Sequence, residues 1–180
     1  SSFVYALNAA DKFIRCGEAQ KVLVLGAEII TKLVDWKDRN TCILFGDGAG
    51  AVILEASKYQ GIISSHLGAD GKYKELLYYP VGPSNKLEKA GTKDANIMLQ
   101  GNEVFRVAVK KLSEVAIKVL DLGNFDLADL DWFVPHQANL RIIEATAKKL
   151  KIPMEKVIQT VQIHGNTSAA SIPLAFDIAV

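Results

Sequence analysis

Twice in this chain an apolar-rich run breaks off at a short polar corner, and a helix-period pattern takes over within a few residues. The two places are residues 131–141 (DWFVPHQANLR) and residues 164–171 (HGNTSAAS). A run that ends this way reads as a strand handing over to a helix, so the fold must set strand ends and helix starts side by side. In open α/β sheets such places form the crevices where ligands bind. Two corners of this kind point to a shared site, and the first carries a titratable group, His136.

The rest of the chain fits a layered plan. Phe3, Val4, Leu7, Ala10, Phe13 and Ile14 recur at helical spacing, and Gly17 supplies a C-terminal stop. Residues 21–27 (KVLVLGA) predict a strand buried on both faces, and residues 28–40 an irregular, partly exposed connection. Residues 41–57 (TCILFGDGAGAVILEAS) carry glycines at 46, 48 and 50. A dinucleotide loop needs a helix next and a Walker loop a Gly-Lys-Ser/Thr ending, so two strands around a glycine turn are predicted instead. Residues 61–67 predict another strand, and residues 73–95 a surface loop broken by Pro80, Gly82, Pro83 and Gly91. Beyond these come a long helix over 101–120, a short buried strand over 132–134 and a helix over 139–150 halted by Pro153. A strand over 157–163 and a helix from 167 onward complete the chain. This alternation predicts an α/β layered fold, and the order after residue 61 resembles the opening portion, as an internal duplication would.

Composition narrows the functions. Twenty-one basic against 20 acidic residues leave a net charge of +1, which argues against a general nucleic-acid binder. No segment is apolar for long enough to cross a membrane, and no signal peptide is visible. Cys16 and Cys42 make neither a disulfide framework nor a zinc site and point to a reducing, cytoplasmic compartment. A helical pattern starts at Ser1 and an apolar period is still running at Val180, so a piece of a longer protein is expected.

A lone histidine at a helix start is most often satisfied locally. At His136, however, Pro135 fixes the corner, and Gln137, Asn139 and Arg141 follow within five residues. Near a helix N-terminus the dipole lowers a histidine's pKa, which keeps the ring neutral and able to donate one N–H. A neutral donor of that kind stabilises a developing oxyanion. Asn166 alone could be a helix cap, but capping does not account for the whole run of His164, Gly165, Asn166, Thr167 and Ser168. An amide beside a neutral imidazole gives two N–H donors for one oxygen, which suits an enolate or a tetrahedral oxyanion. The rivals are a zinc site from His136, His164 and a carboxylate, which lacks closely spaced ligands, and a Ser-His-Asp hydrolase, which lacks a GxSxG elbow.

The motifs VPHQANLRI (134–142), HGNTSAASIP (164–173), FGDGAGA (45–51), LGADG (67–71) and GNEVFRVAV (101–109), in this order, resemble the β-ketoacyl-acyl-carrier-protein synthase III family of fatty-acid synthesis. The resemblance implies a thiolase-like α/β fold of two similar halves layered α-β-α-β-α. Residues 1–60 would be the end of the first half and residues 61–180 most of the second. It implies a cytoplasmic homodimer with no resident cofactor, whose substrates are an acyl-coenzyme A and malonyl-acyl-carrier protein, with no nucleic-acid or membrane partner. The family's triad is Cys-His-Asn: His136 and Asn166 match the last two, and the cysteine is expected just before Ser1, since neither Cys16 nor Cys42 stands at the motif position. The cysteine would take the acyl group, and the enolate of decarboxylated malonyl-carrier protein would attack the resulting thioester. By the same matching, Gly101, Asn102, Phe105 and Asn139 would line the pantetheine tunnel and Arg39 would sit near the coenzyme A nucleotide. Arg106, Arg141, Lys148 and Lys149 would dock the acidic carrier protein; a solvated helix face is the plainer reading of these four. The alternatives are a same-fold enzyme that condenses other coenzyme A thioesters and a non-catalytic carrier-protein-binding module.

Overall fold

A computed structural model describes residues 2–59, 61–81 and 96–180. The apolar stripe at the chain's start forms helix α1 (Ser2–Arg15). It closes on Gly17 in the left-handed region (φ 81), where the Glu18 N–H reaches back to the Phe13 carbonyl at 3.0 Å. The chain then enters β1 (Lys21–Ile29), which pairs antiparallel with β2 (Asp47–Glu55), Lys21 opposite Glu55 and Ile29 opposite Asp47. One face of this ribbon carries α1: Phe3, Ala10, Val24 and Ala169 form one buried cluster, flanked by Leu7, Val22, Val52 and Leu54. On the other face Leu23, Leu25, Ile29 and Ile53 are exposed. The expectation of a strand buried on both faces is therefore corrected. Burial alternates along β1, because among the described residues only one face of the ribbon has a layer packed on it.

The glycines at 46, 48 and 50 do not form a turn between two strands. Residues 41 and 42, expected in a strand, belong to the short helix α2 (Arg39–Cys42), whose Asp38 cap accepts from the Asn40 N–H at 3.0 Å. Gly48 and Gly50 lie inside β2, on its covered face. The reason is close approach. A β-carbon on Gly26, which pairs with Gly50, would stand 2.7 Å from the Ala169 carbonyl oxygen, and one on Gly46 would overlap the His164 carbonyl oxygen. Without side chains there, residues 164–170 lie backbone to backbone on the ribbon. Asn166 donates its N–H to the Leu44 carbonyl (2.8 Å) and accepts the Gly46 N–H (3.1 Å), a parallel bridge between Phe45 and Asn166.

Downstream, β3 (Leu77–Tyr78) and β4 (Met98–Leu99) make a two-residue antiparallel pair. Residues 82–95 of the expected surface loop lie outside the described residues. Helix α3 (Gly101–Gly123) packs on α4 (Leu140–Leu150). Ile143, Ala147, Leu150, Ile152 and Val157 form the second core there, closed by Ala116, Leu127, Leu130 and Phe133. Lys151 in the left-handed region (φ 58) ends α4 before Pro153 is reached. The strands expected at 61–67, 132–134 and 157–163 are corrected too. Among the described residues the first has no strand partner. The other two share one parallel bridge, Phe133 to Val157, after which the chain turns into α5 (Val161–His164). Helix α6 (Ser171–Ala179) closes the chain behind a 3-10 turn, Ser168–Ala170. Among the described residues no helix is long and apolar enough to cross a membrane.

One side chain substitutes for the missing ladder. Gln137 is fully buried, and its amide makes four hydrogen bonds. Nε2 donates to the carbonyls of Pro135 (2.8 Å) and Ile158 (3.1 Å), and Oε1 accepts the N–H groups of Thr160 (2.7 Å) and Val161 (3.2 Å). The corner at residues 135–137 is thereby fastened to the start of α5, with both polar atoms of the side-chain amide paired.

Two outcomes follow for the full-length protein, both read as denaturant midpoints. Gly46→Ala forces a β-carbon into a backbone carbonyl and is expected to destabilise by about 3 kcal/mol or more. Gly17→Ala, whose β-carbon meets nothing within 4 Å, costs only the left-handed backbone, about 1 kcal/mol. Gln137→Leu strands two N–H groups and two carbonyls and is expected to lose roughly 3 kcal/mol or more at about 1–3 kcal/mol per buried unpaired group. Gln137→Glu keeps the two accepted bonds but sets a buried carboxylate oxygen against the Pro135 and Ile158 carbonyls, so its midpoint at neutral pH should fall at least as far as that of Gln137→Leu.

Candidate active site

Pro135 is buried and starts the first corner; His136 follows it, with the Ala138 N–H folded back on the His136 carbonyl at 3.0 Å. The Nδ1 atom of His136 lies 2.6 Å from the hydroxyl oxygen of Ser171, the first residue of α6 and itself 1% exposed. That hydroxyl also donates to the Ser168 carbonyl at 2.8 Å and accepts a long hydrogen bond, 3.4 Å, from the Gln137 N–H. Burial pushes the imidazole pKa from an ordinary 6.5 down to about 4, so the ring is neutral at pH 7. The sequence pattern expects a helix dipole to lower it; burial is the largest cause here. α4 begins at Leu140 behind its Asn139 cap, and the dipole's effect fades within a turn of the helix end.

Asn166 holds the second corner. Its Oδ1 accepts the Ser168 N–H at 3.0 Å, stabilising the left-handed Ser168 (φ 50) at the head of the 3-10 turn. With Oδ1 committed and the backbone bonded to Leu44 and Gly46, the orientation of the amide is set, and Nδ2 is the group left to donate to a ligand. The two corners are thus joined by a short relay in which Asn166 holds Ser168, the Ser171 hydroxyl meets the Ser168 carbonyl, and Ser171 meets His136. Phe3, at the start of α1, packs in the same cluster as Ala169 of that turn.

The other candidate residues divide into groups. Gly101 and Asn102 open α3 and are exposed, with Phe105 half-buried one turn on. The Arg141 guanidinium lies 5.7 Å from the Phe105 ring centre, and Asn139 caps α4 by accepting the Arg141 N–H at 2.9 Å. The starts of α3 and α4 therefore meet, bringing Phe105, Asn139 and Arg141 together. Arg106 is largely exposed and pairs with Glu103 at 3.7 Å. Arg39 opens α2, exposed, on the connection between β1 and β2. Lys148 and Lys149 are exposed in the last turn of α4, about 10 Å along the helix from Arg141. Two cations at a helix C-terminus also have a local explanation in the helix dipole. Gln137 and Ser171 were missed as parts of the site. A glutamine in a polar corner and a serine at a helix start both pass for surface or capping residues. Among the described residues no three His, Cys, Asp or Glu side chains are grouped to share a metal ion. A broad groove lined by Phe3, Leu7, Val52, Ile172 and Phe176 does not include His136 or Asn166.

Comparison with known proteins gives consistent matches along the chain. The family profile for 3-Oxoacyl-[acyl-carrier-protein (ACP)] synthase III matches residues 1–71, and that for its C terminal matches residues 120–180. The beta-ketoacyl-[acyl-carrier-protein] synthase III of Thioalkalivibrio sulfidiphilus is 56% identical over all 180 residues, and that of Xanthomonas euvesicatoria is 58% identical. The chain spans 56% and 55% of these two relatives, a little over half their length. The crystal structure of 3-oxoacyl-[acyl-carrier-protein] synthase III from Aquifex aeolicus superposes with a TM-score of 0.89 at 44% identity, over 98% of this chain and 54% of that one. With both halves of the family profile matched in order and a thiolase-like architecture shared over nearly its whole length, the chain belongs to the 3-oxoacyl-[acyl-carrier-protein] synthase III family.

Proposed function

We propose that the protein containing this chain condenses an acyl-coenzyme A primer with malonyl-acyl-carrier protein, with loss of carbon dioxide, to give a β-ketoacyl-carrier protein that starts fatty-acid synthesis. The observation that carries this reading is the relay joining the His136 corner to the Asn166 corner beside the start of α1. A cysteine preceding Ser1 would stand at that helix start, where the dipole favours a thiolate. The thiolate attacks the acyl-coenzyme A carbonyl, coenzyme A leaves as its thiol, and the acyl group remains as an enzyme thioester. Malonyl-carrier protein then loses carbon dioxide, and the pair of electrons released becomes an enolate on the thioester oxygen. His136 and Asn166 hydrogen-bond that oxygen while the enolate carbon attacks the enzyme thioester and releases the cysteine. The role of His136 is electrostatic first.

In this reading Gly101, Asn102, Phe105 and Asn139 line the path of the pantetheine arm, and Arg39 lies near the nucleotide of coenzyme A. Arg141 and Arg106, with Lys148 and Lys149 further along α4, receive the acidic carrier protein. Residues 1–60 end one thiolase-like half and residues 61–180 make most of the other. The whole protein works as a cytoplasmic homodimer and needs no cofactor beyond its thioester substrates.

His136→Ala in the full-length protein is expected to slow malonyl decarboxylation by about 100-fold to 1000-fold, the usual cost of one preorganised donor. Acyl transfer to the cysteine should suffer much less; an equal loss in both half-reactions would make the histidine chiefly the thiol's base. Arg141→Glu is expected to raise KM for malonyl-carrier protein at least tenfold and to leave KM for the acyl-coenzyme A nearly unchanged, as a reversed charge at a docking mouth should. Equal effects on the two substrates would remove Arg141 from the docking surface.

A further inference from the structure

We infer that Glu28 is a positioning residue for Asn166: its carboxylate accepts the hydroxyl of Ser168 and so holds the left-handed turn that aims the Asn166 amide. Glu28 follows Val22, Val24 and Gly26 on the covered face of β1, the side on which α1 and the turn at 168–170 pack. A carboxylate on a packed face needs a partner, and the Ser168 hydroxyl, 3.3 Å away and 140 residues further on, supplies one. The direction of this bond follows from the groups. The carboxylate oxygen accepts, and the serine has one proton to give. Gly48, which pairs with Glu28 across the ribbon, makes the room. A β-carbon there would stand 3.2 Å from the Thr167 methyl, so the chain just after Asn166 lies directly on this end of the ribbon.

Ser168 is a residue that has to be held. Its backbone is left-handed (φ 50), a costly conformation for a residue with a β-carbon. Its other bonds are internal to the corner: its N–H goes to Asn166 Oδ1 at 3.0 Å, and its carbonyl accepts the Ser171 N–H and hydroxyl. Bonds of that kind move with the corner. The bond to Glu28 ties the same residue to another layer of the fold, and it is directional where the packing of Ala169 on Gly26 is not. Asn166 is therefore held from two sides, its backbone by Leu44 and Gly46 and its side chain through Ser168.

This deepens the proposed reading of the site and rests on it for its consequence. With Oδ1 held by the Ser168 N–H, the amide offers Nδ2 to the enolate oxygen. If Ser168 leaves the left-handed region, its N–H turns away, Oδ1 is released, and the amide is free to rotate. An amide oxygen facing an oxygen that is becoming negative would repel it. Glu28 touches no substrate; it acts through Ser168 and Asn166.

The test is a mutant cycle in the full-length protein, read as kcat and KM for malonyl decarboxylation. Glu28→Ala is expected to lower kcat about tenfold to 100-fold with KM held, the mark of a misplaced donor. Glu28→Gln keeps an acceptor oxygen and should stay close to the unaltered protein; a loss equal to that of Glu28→Ala overturns the inference. In an Asn166→Ala background, removing Glu28 should cost nothing further, because the group it positions is gone. Losses that multiply independently overturn the inference, since Glu28 would then act by another route. Crystal structures of the full-length protein and of Ser168→Ala give a readout apart from activity, and they serve if Glu28→Ala fails to fold. Residue 168 should leave the left-handed region or the Asn166 amide should turn; both unmoved overturns the inference. A displaced amide in a protein whose unaltered form does not decarboxylate malonyl-carrier protein would leave the inference standing and remove the functional reading alone.

Discussion

The backbone contact between Gly46 and Asn166 is the constraint on which the neighbourhood of the site depends. Two hydrogen bonds tie residues 44–46 to Asn166, and they form only because position 46 has no side chain to collide with the His164 carbonyl. That contact lays residues 164–170 along the ribbon that carries α1. Ala169 and Ala170, 5% and 0% exposed, then fill the space between ribbon and turn, with Phe3 of α1 in the same cluster. A glycine motif that looks like a ligand loop thus works as a packing surface, and what it positions is a donor 120 residues further on. Interiors packed to crystal-like density transmit such placements with little slack, so an error at Gly46 would be felt at the Asn166 amide.

The other corner is held by different means. Residues 132–138 have a single bridge to Val157 and no ladder, so their backbone groups need partners from elsewhere. Gln137 meets part of that need with one amide, bonding to residues on both sides of the gap. A fully satisfied buried amide is directional in a way that apolar packing is not. It fixes the angle at which the neighbouring His136 leaves the chain.

Much of the fold was legible because helices announce themselves. The stripes of α1, α3 and α4 fall where the spacing puts them, and the corner at Pro135 and His136 does lead into a helix, although the segment before it is not buried as expected: Trp132 is half exposed and Phe133 and Val134 are only partly covered. Strands were read less well, for a physical reason. An apolar run says that a segment is buried, but a strand also needs a neighbour, and residues 61–67 have none among those described. The glycines were misplaced because alternation of glycine with other residues carries no apolar signal, although period two put them on one face of β2. His136 and Asn166 were legible as residue types at corners; Gln137 and Ser171 were not, because their importance lies in contacts 21 to 35 residues away in sequence.

The origin of the neutral histidine matters for how such a site tolerates change. A pKa lowered by a helix dipole depends on the position of one helix end and weakens with salt, whereas one lowered by burial depends on the whole surrounding wall. Burial alone, however, leaves the choice of tautomer open, since it opposes the charged ring and is indifferent to which nitrogen keeps the proton. A second, directional element must make that choice, and it has to be a residue whose own remaining bonds are fixed. The group lying against Nδ1 is Ser171, at the first position of α6, with its backbone N–H and its hydroxyl both bonded to the Ser168 carbonyl. The division of labour follows from the physics. The wall sets the charge of the ring, the contact with Ser171 holds its plane, and the glycine contact sets the distance to the second donor, so each can fail separately and each failure has its own signature.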